Sequence, residues 1–121
     1  MQRVFVYGTL RRGESHAHLM QDAEYLGLHV TEPRYTLCDM GEYPAAVSWG
    51  VTSIRGEVYD VDDALLRRLD EYEEFPGVYN RRLVHTPYGG AWIYLILAPP
   101  VVSCVIGHGD WCRRDQFDFE E

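Results

Sequence analysis

Four carboxylates crowd into the segment Asp70-Glu71-Tyr72-Glu73-Glu74, and helical geometry tells them apart. With Leu69 set at zero and about 100° added per residue, Leu65, Leu66, Leu69 and Tyr72 form an apolar stripe from roughly −60° to +60°. Glu73 falls at about +40°, inside that stripe, whereas Asp70, Glu74 and Glu71 fall at about +100°, +140° and 200°, outside it. Glu73 is therefore the acid expected to face the interior or a cleft. A carboxylate aimed at apolar surroundings is costly unless it is paired or protonated. Burial raises its pKa toward the range useful for general acid/base catalysis. A competing reading pairs Glu73 with Arg81 or Arg82, and helical geometry alone leaves the two readings level.

A second candidate is the run Phe5-Val6-Tyr7-Gly8-Thr9-Leu10. An apolar strand meets a glycine, which permits close approach of backbone to a ligand, and passes into a polar turn. Successive backbone N–H groups in such a turn cradle anions, carboxylates included. An ordinary strand exit would look the same, so the run is not specific by itself.

Other chemistries find little support. All eleven basic residues are Arg, so Schiff-base chemistry and a Lys general base are excluded on this chain. The net charge of −8 argues against nucleic acid and against anionic membranes. No apolar run approaches the ~20 residues of a membrane span, and the N-terminus MQRVFVYGTL lacks the apolar stretch of a signal peptide, so a cytoplasmic location is expected. Cys38, Cys104 and Cys112 are odd in number and form no C-x-x-C pair, which argues against a disulfide framework or a zinc site. His16 and His18 stand two apart, facing away from one another on a helix, and no metal site is expected. There is no P-loop, no G-x-G-x-x-G and no G-x-S-x-G elbow.

The elements that must position Glu73 and the glycine turn follow from periodicity. Val4 to Tyr7 reads as a buried strand. Ser15 suits the cap of a short helix running to about Asp22. Tyr25–Val30, interrupted at Gly27, and Tyr35–Met40 read as strands, and Gly41 to Pro44 as a turn. Ser53–Val61 alternates as a strand. Asp62 is a good N-cap for a helix from Asp63 to about Glu73, which Pro76 and Gly77 stop. Tyr79–Thr86 and Ala91–Ala98 flank Pro87-Tyr88-Gly89-Gly90 as a hairpin. Val101–Trp111 offers a short last strand. With 121 residues and 46% apolar composition, one domain over residues 1–115 is expected, followed by an acidic tail at 116–121. The element order predicts an α+β fold with a mainly antiparallel sheet, curled toward a barrel.

Taken in order, these segments resemble the γ-glutamylcyclotransferase-like (AIG2-like) family over nearly the whole chain. The resemblance opens with Val4-Phe5-Val6-Tyr7-Gly8-Thr9-Leu10-Arg11-Arg12-Gly13 and continues through Tyr43-Pro44-Ala45-Ala46 and Ile54-Arg55-Gly56-Glu57-Val58-Tyr59. It includes Leu69-Asp70-Glu71-Tyr72-Glu73, Tyr79-Asn80-Arg81 and Thr86 to Tyr94, and ends at Gly109-Asp110-Trp111. It implies a small mixed, mainly antiparallel β-barrel with flanking helices. It also implies that Tyr7, Gly8, Thr9 and Leu10 bind the glutamyl part of a substrate, that Glu73 is the catalytic glutamate, and that Tyr79 is a pocket residue. The chain departs from the family in carrying Glu74 where many members have Gly. A second negative charge there would raise the pKa of Glu73 further.

The reaction implied is intramolecular: the α-amine of a γ-glutamyl group attacks its own γ-carbonyl, giving 5-oxoproline and a free amine or amino acid. The nucleophile is already tethered, one carboxylate serves both proton transfers, and no metal or organic cofactor is needed. The partner implied is a small-molecule γ-glutamyl substrate. A non-catalytic binding module for a γ-glutamyl or other small carboxylate ligand would keep the glycine turn but would need no acid at Glu73. A structural protein acting through its acidic surface would need no pocket.

Overall fold

A computed structural model describes residues 2–97 and 104–113. The first strand, β1 (Gln2–Val6), is the centre of the fold. It pairs antiparallel with β5 (Arg55–Val61), with Phe5 opposite Val58, and parallel with β7 (Gly89–Ile96), with Val4 opposite Trp92. Neighbours on both sides explain its continuous apolar run. β2 (Glu24–Val30) lies outside β5, and β6 (Tyr79–Thr86) outside β7, giving the order β2-β5-β1-β7-β6. A second sheet has the order β4-β3-β8, from Pro44–Thr52, Tyr35–Asp39 and Cys104–Val105.

The period-two alternation of β1 divides the core in two. Val4 and Val6 face one cluster with Leu65, Leu66 and Leu69 of the helix α1 (Asp63–Tyr72). Phe5 and Tyr7 face the other, with Leu37, Ile54, Val58, Ile93 and Trp111. The three leucines of α1 are the stripe read from its periodicity, each contributing roughly 1.5–3 kcal/mol through burial. Asp62 caps the helix as expected, its Oδ1 accepting the Leu65 N–H at 2.7 Å.

The α+β, mainly antiparallel fold holds, with the single parallel pair β1/β7 in addition. The barrel does not close: the described strands form two sheets rather than one hydrogen-bonded ring. Other expectations change in detail. The segment after Ser15 is a single 3₁₀ turn, Ala17–Met20, with His16 at its cap position and no side-chain cap, because the Ser15 hydroxyl is spent on His16 Nδ1 at 3.0 Å. β5 begins at Arg55 rather than Ser53, and the hairpin turn is the two residues Pro87–Tyr88. The interruption at Gly27 is a bulge in β2, where a side chain would collide with the Tyr88 hydroxyl. β4 was not expected at all: its first half is buried and its second exposed, without alternation. Ala98, the start of the proposed last strand at 101–103, and the tail at 116–121 lie outside the described residues.

Candidate active site

The chain leaves β1 through the glycine turn, and three sets of contacts fix that turn. The Gly8 carbonyl accepts the Arg11 N–H at 3.0 Å, and the Thr9 carbonyl accepts the His16 N–H at 2.9 Å. Pro44 packs onto Gly8 so closely that a Cβ there would lie 2.6 Å from Pro44 Cγ, so the turn requires glycine for space. Beneath it, buried Arg11 donates from Nε to Glu57 Oε2 at 3.1 Å and from Nη1 to Asp110 Oδ1 at 2.7 Å. Glu57 Oε1 also accepts the Arg12 N–H and the Tyr59 hydroxyl, at 3.1 and 2.8 Å. These charges are paired and hydrogen-bonded, so their burial is tolerable, and they tie the turn to β5 and to the Gly109–Asp110 segment. Among the described residues, no protein acceptor takes the N–H groups of Thr9 or Leu10.

α1 delivers Glu73 from the opposite side. The Glu73 N–H still reaches the Leu69 carbonyl at 2.9 Å, so helical geometry extends to this residue and the angular argument applies to it. The next residue reverses the chain: Glu74 has φ 53°, its N–H donates to the Glu71 carbonyl at 3.1 Å, and the Phe75 N–H donates to the Asp70 carbonyl at 2.8 Å. This is a Schellman ending, whose left-handed position glycine normally takes. Its tight reversal leaves the Glu73 side chain at the wall of a cavity of about 250 Å³, which Tyr7, Gly8, Thr9, Leu10 and Tyr79 also line. Every site residue read from the sequence thus lines one cavity.

Arg81 and Arg82, the partners offered for Glu73, are placed elsewhere. Arg81 binds Asp70 through Nε and Nη2 at 2.9 and 3.2 Å, its guanidinium held over Phe75 and Trp92, and Asp70 also accepts the Tyr94 hydroxyl at 2.6 Å. Arg82 is exposed on β6 and pairs with nothing among the described residues. Among the described residues Glu73 has no ion pair. Burial pushes its carboxyl up to about 7, and burial is the whole cause: Glu74 adds no resolved effect, contrary to the expectation from its charge. Around it stand the phenols of Tyr7, Tyr79 and Tyr94. Burial, then neighbouring groups that include Glu73, raises the pKa of each, so all three stay protonated. The Tyr7 hydroxyl donates to the Tyr94 carbonyl at 2.7 Å and accepts the Ala46 N–H at 3.1 Å, so it braces β1 against β4 and β7.

Sequence reasoning missed several contributors. Tyr72 is one position of the apolar stripe and Tyr94 one of a strand, neither singled out for the site, yet both line the cavity, with the Tyr72 hydroxyl 2.9 Å from Thr9 Oγ1. Pro44, Tyr43 and Val78 complete the wall. Arg11, Glu57 and Asp110 carried no local signal of being partners. No group of three His, Cys, Asp or Glu able to hold a metal occurs among the described residues, and no helix there is long and apolar enough to cross a membrane.

Residues 4–113 match the family described as Gamma-glutamyl cyclotransferase, AIG2-like. This chain belongs to that family. A protein from Vibrio cholerae is 46% identical over 111 residues, spanning 92% of this chain and 96% of its own length. The Escherichia coli "Gamma-glutamylcyclotransferase family protein YtfP" is 41% identical over 114 residues, covering 94% of this chain and 99% of the relative. The solution structure of ytfP superposes with a TM-score of 0.77 over 95% of this chain and 100% of that one, and a mouse aig2-like crystal structure with 0.74 at 27% identity over 84% and 80%.

Proposed function

We propose that this family member cyclises a γ-glutamyl group to 5-oxoproline and releases a free amine or amino acid, with Glu73 as the proton-transfer group. The observation that carries the reading is an uncompensated carboxylate, titrating near neutrality, in a cavity against the glycine turn. The α-ammonium of the bound γ-glutamyl compound gives a proton to Glu73. The free amine attacks the γ-carbonyl of the same group and forms the five-membered ring. The C–N bond to the leaving group then breaks as Glu73 returns the proton to the departing nitrogen; the ring nitrogen sheds its second proton through the regenerated carboxylate to the released amine, which leaves as an ammonium. A pKa near 7 serves both halves of that cycle. The N–H groups of Thr9 and Leu10 supply donors for the substrate α-carboxylate or the developing oxyanion. The protonated phenols of Tyr7 and Tyr79 close the polar wall, and Leu10 and Val78 face the glutamyl methylenes. The reaction as written uses no cofactor, and a cytoplasmic supply of γ-glutamyl compounds suits it.

The test is release of 5-oxoproline from a panel of γ-glutamyl compounds, wild type against Glu73→Gln. Turnover by wild type and its loss in the variant, with unchanged circular dichroism, is expected. Equal turnover in both removes Glu73 from the mechanism. Calorimetric binding of an intact compound that neither protein converts would make the protein a binding module.

A further inference from the structure

β2 and β6 are the two edges of the five-stranded sheet, yet residues from both line one cleft of about 480 Å³. The sheet curls until its edges face each other, and the gap between them is the seam where the barrel fails to close. Tyr35 of β3 lies against this gap. The chemistry gathered there runs against the rest of the molecule. In a chain of net charge −8, the cleft collects Arg34, Arg82, His29 and His85 against the single acid Glu32. Arg82 has no ion pair among the described residues. Arg34 pairs with Glu32 at 2.6 Å, but both side chains are largely exposed, so that pair is weak and exchangeable. Tyr35 is only 6% exposed and lines the cleft, and its hydroxyl has no protein hydrogen-bond partner among the described residues. Burial raises the Tyr35 pKa, Arg34 and Arg82 pull it down and Glu32 pushes it up, so the phenol lies in the field of both guanidiniums and of Glu32. Val30, Val84 and Leu95 supply an apolar wall beside these donors.

We infer that this seam is a second binding site, separate from the Glu73 cavity, for a small organic molecule bearing a carboxylate or phosphate. The Arg82 and Arg34 guanidiniums and the Tyr35 hydroxyl hold its anionic end, and the apolar wall holds its body. Two guanidiniums and a phenol supply only donors to an anion, and the planar fork of Arg matches carboxylate and phosphate oxygens. No residue is shared between this lining and that of the Glu73 cavity, so the site stands whether or not the proposed cyclisation is correct.

The test is a ¹⁵N–¹H titration of the full chain with phenyl phosphate and, separately, with benzoate, which share a ring and differ in the anion. Saturable shifts at Thr31 and at Arg82 to His85, without shifts at Gly8 to Leu10, are expected for at least one probe, and which probe binds more tightly identifies the preferred anion. Arg82→Gln, an exposed position, should weaken binding about tenfold, and Tyr35→Phe, which keeps the ring, by several-fold. The inference is overturned by an absence of saturable shifts with both probes, by shifts confined to the glycine turn, or by Arg82→Gln binding as well as wild type.

Discussion

The Glu73 cavity and the seam between β2 and β6 use charge in opposite ways. The cavity at the glycine turn holds Glu73 and Glu74 and no Arg or His, while the seam between β2 and β6 holds two Arg and two His against one Glu. The difference that matters is depth rather than sign. Glu73 lies in a wall of buried phenols and apolar side chains, so its charge is costly and its proton is held until near neutrality. The seam's Arg82 stands in the open and offers a fork of N–H donors. A half-buried acid set among buried side chains, without an ion pair, is equipped for proton transfer, whereas an exposed guanidinium is equipped only to hold an anion.

That contrast breaks most sharply in a pair of variants. Glu73→Gln should lower turnover by about 10²–10⁴-fold, the usual contribution of a positioned acid/base group, while Arg82→Gln leaves turnover unchanged. In wild type kcat/KM should rise with pH through about 7 as the carboxylate forms, and the variant's residual rate should lack that limb. A turnover defect in Arg82→Gln comparable to that of Glu73→Gln would mean that the two cavities act as one site.

The next largest effect concerns what holds the glycine turn. Arg11→Met leaves Glu57, 4% exposed, without its cation, and leaves Asp110, 5% exposed, with only the half-exposed Arg55 at 3.7 Å. A cost of about 3–5 kcal/mol is expected in chemical denaturation, as for other buried pairs that lose one partner. Restoring part of that loss by adding Glu57→Gln would show that the stranded carboxylate, rather than lost packing, sets the cost. A loss below about 1 kcal/mol would mean that the turn is held by Pro44 and the backbone instead.

A third effect reports the burial of Glu73 without any substrate. Its folded pKa of about 7 lies above the ordinary value of 4.5, so the folded state binds the proton more tightly than the unfolded chain does. The stability this proton contributes is complete below about 4.5 and is lost as pH rises through about 7. Glu73→Gln removes the ionisable group. At pH 8 it should be more stable than wild type by about 1–2 kcal/mol, less than the full shift implies because the side chain keeps access to the cavity. Denaturation curves at several pH values should show the gap shrinking toward acid. A gap independent of pH would place the carboxylate in water.

How much of this was legible in sequence follows the range of the interactions. β1, α1 and the β6/β7 hairpin announce themselves within a few residues, through an apolar run, a cap with a stripe, and turn residues between alternating segments. Glu73 was legible because a helix converts spacing into direction. β4 was not, because it opens on Pro44-Ala45-Ala46, whose buried alanines carry no strand signal. Arg11 meets Glu57 and Asp110 across 46 and 99 positions, and the seam joins residues 29–35 to 82–85 only because the sheet curls. Such pairings are products of topology, and no local pattern encodes them.

The smallest effect lies at Glu74, next to the proposed proton-transfer group. Glu74 occupies a left-handed backbone position, φ 53°, at the Schellman ending of α1, where a side chain costs roughly 1 kcal/mol relative to glycine. Glycine there also gains freedom in the unfolded chain, which offsets part of the relief. Glu74→Gly should therefore stabilise the protein by only about 0.5 kcal/mol. Because burial alone raises the Glu73 pKa, the variant should leave the pH dependence of stability and turnover where it is in wild type. A downward shift of the Glu73 titration in Glu74→Gly would show instead that the two neighbouring carboxylates are coupled, and that the acidity of the cavity is set by its charges as well as by its depth.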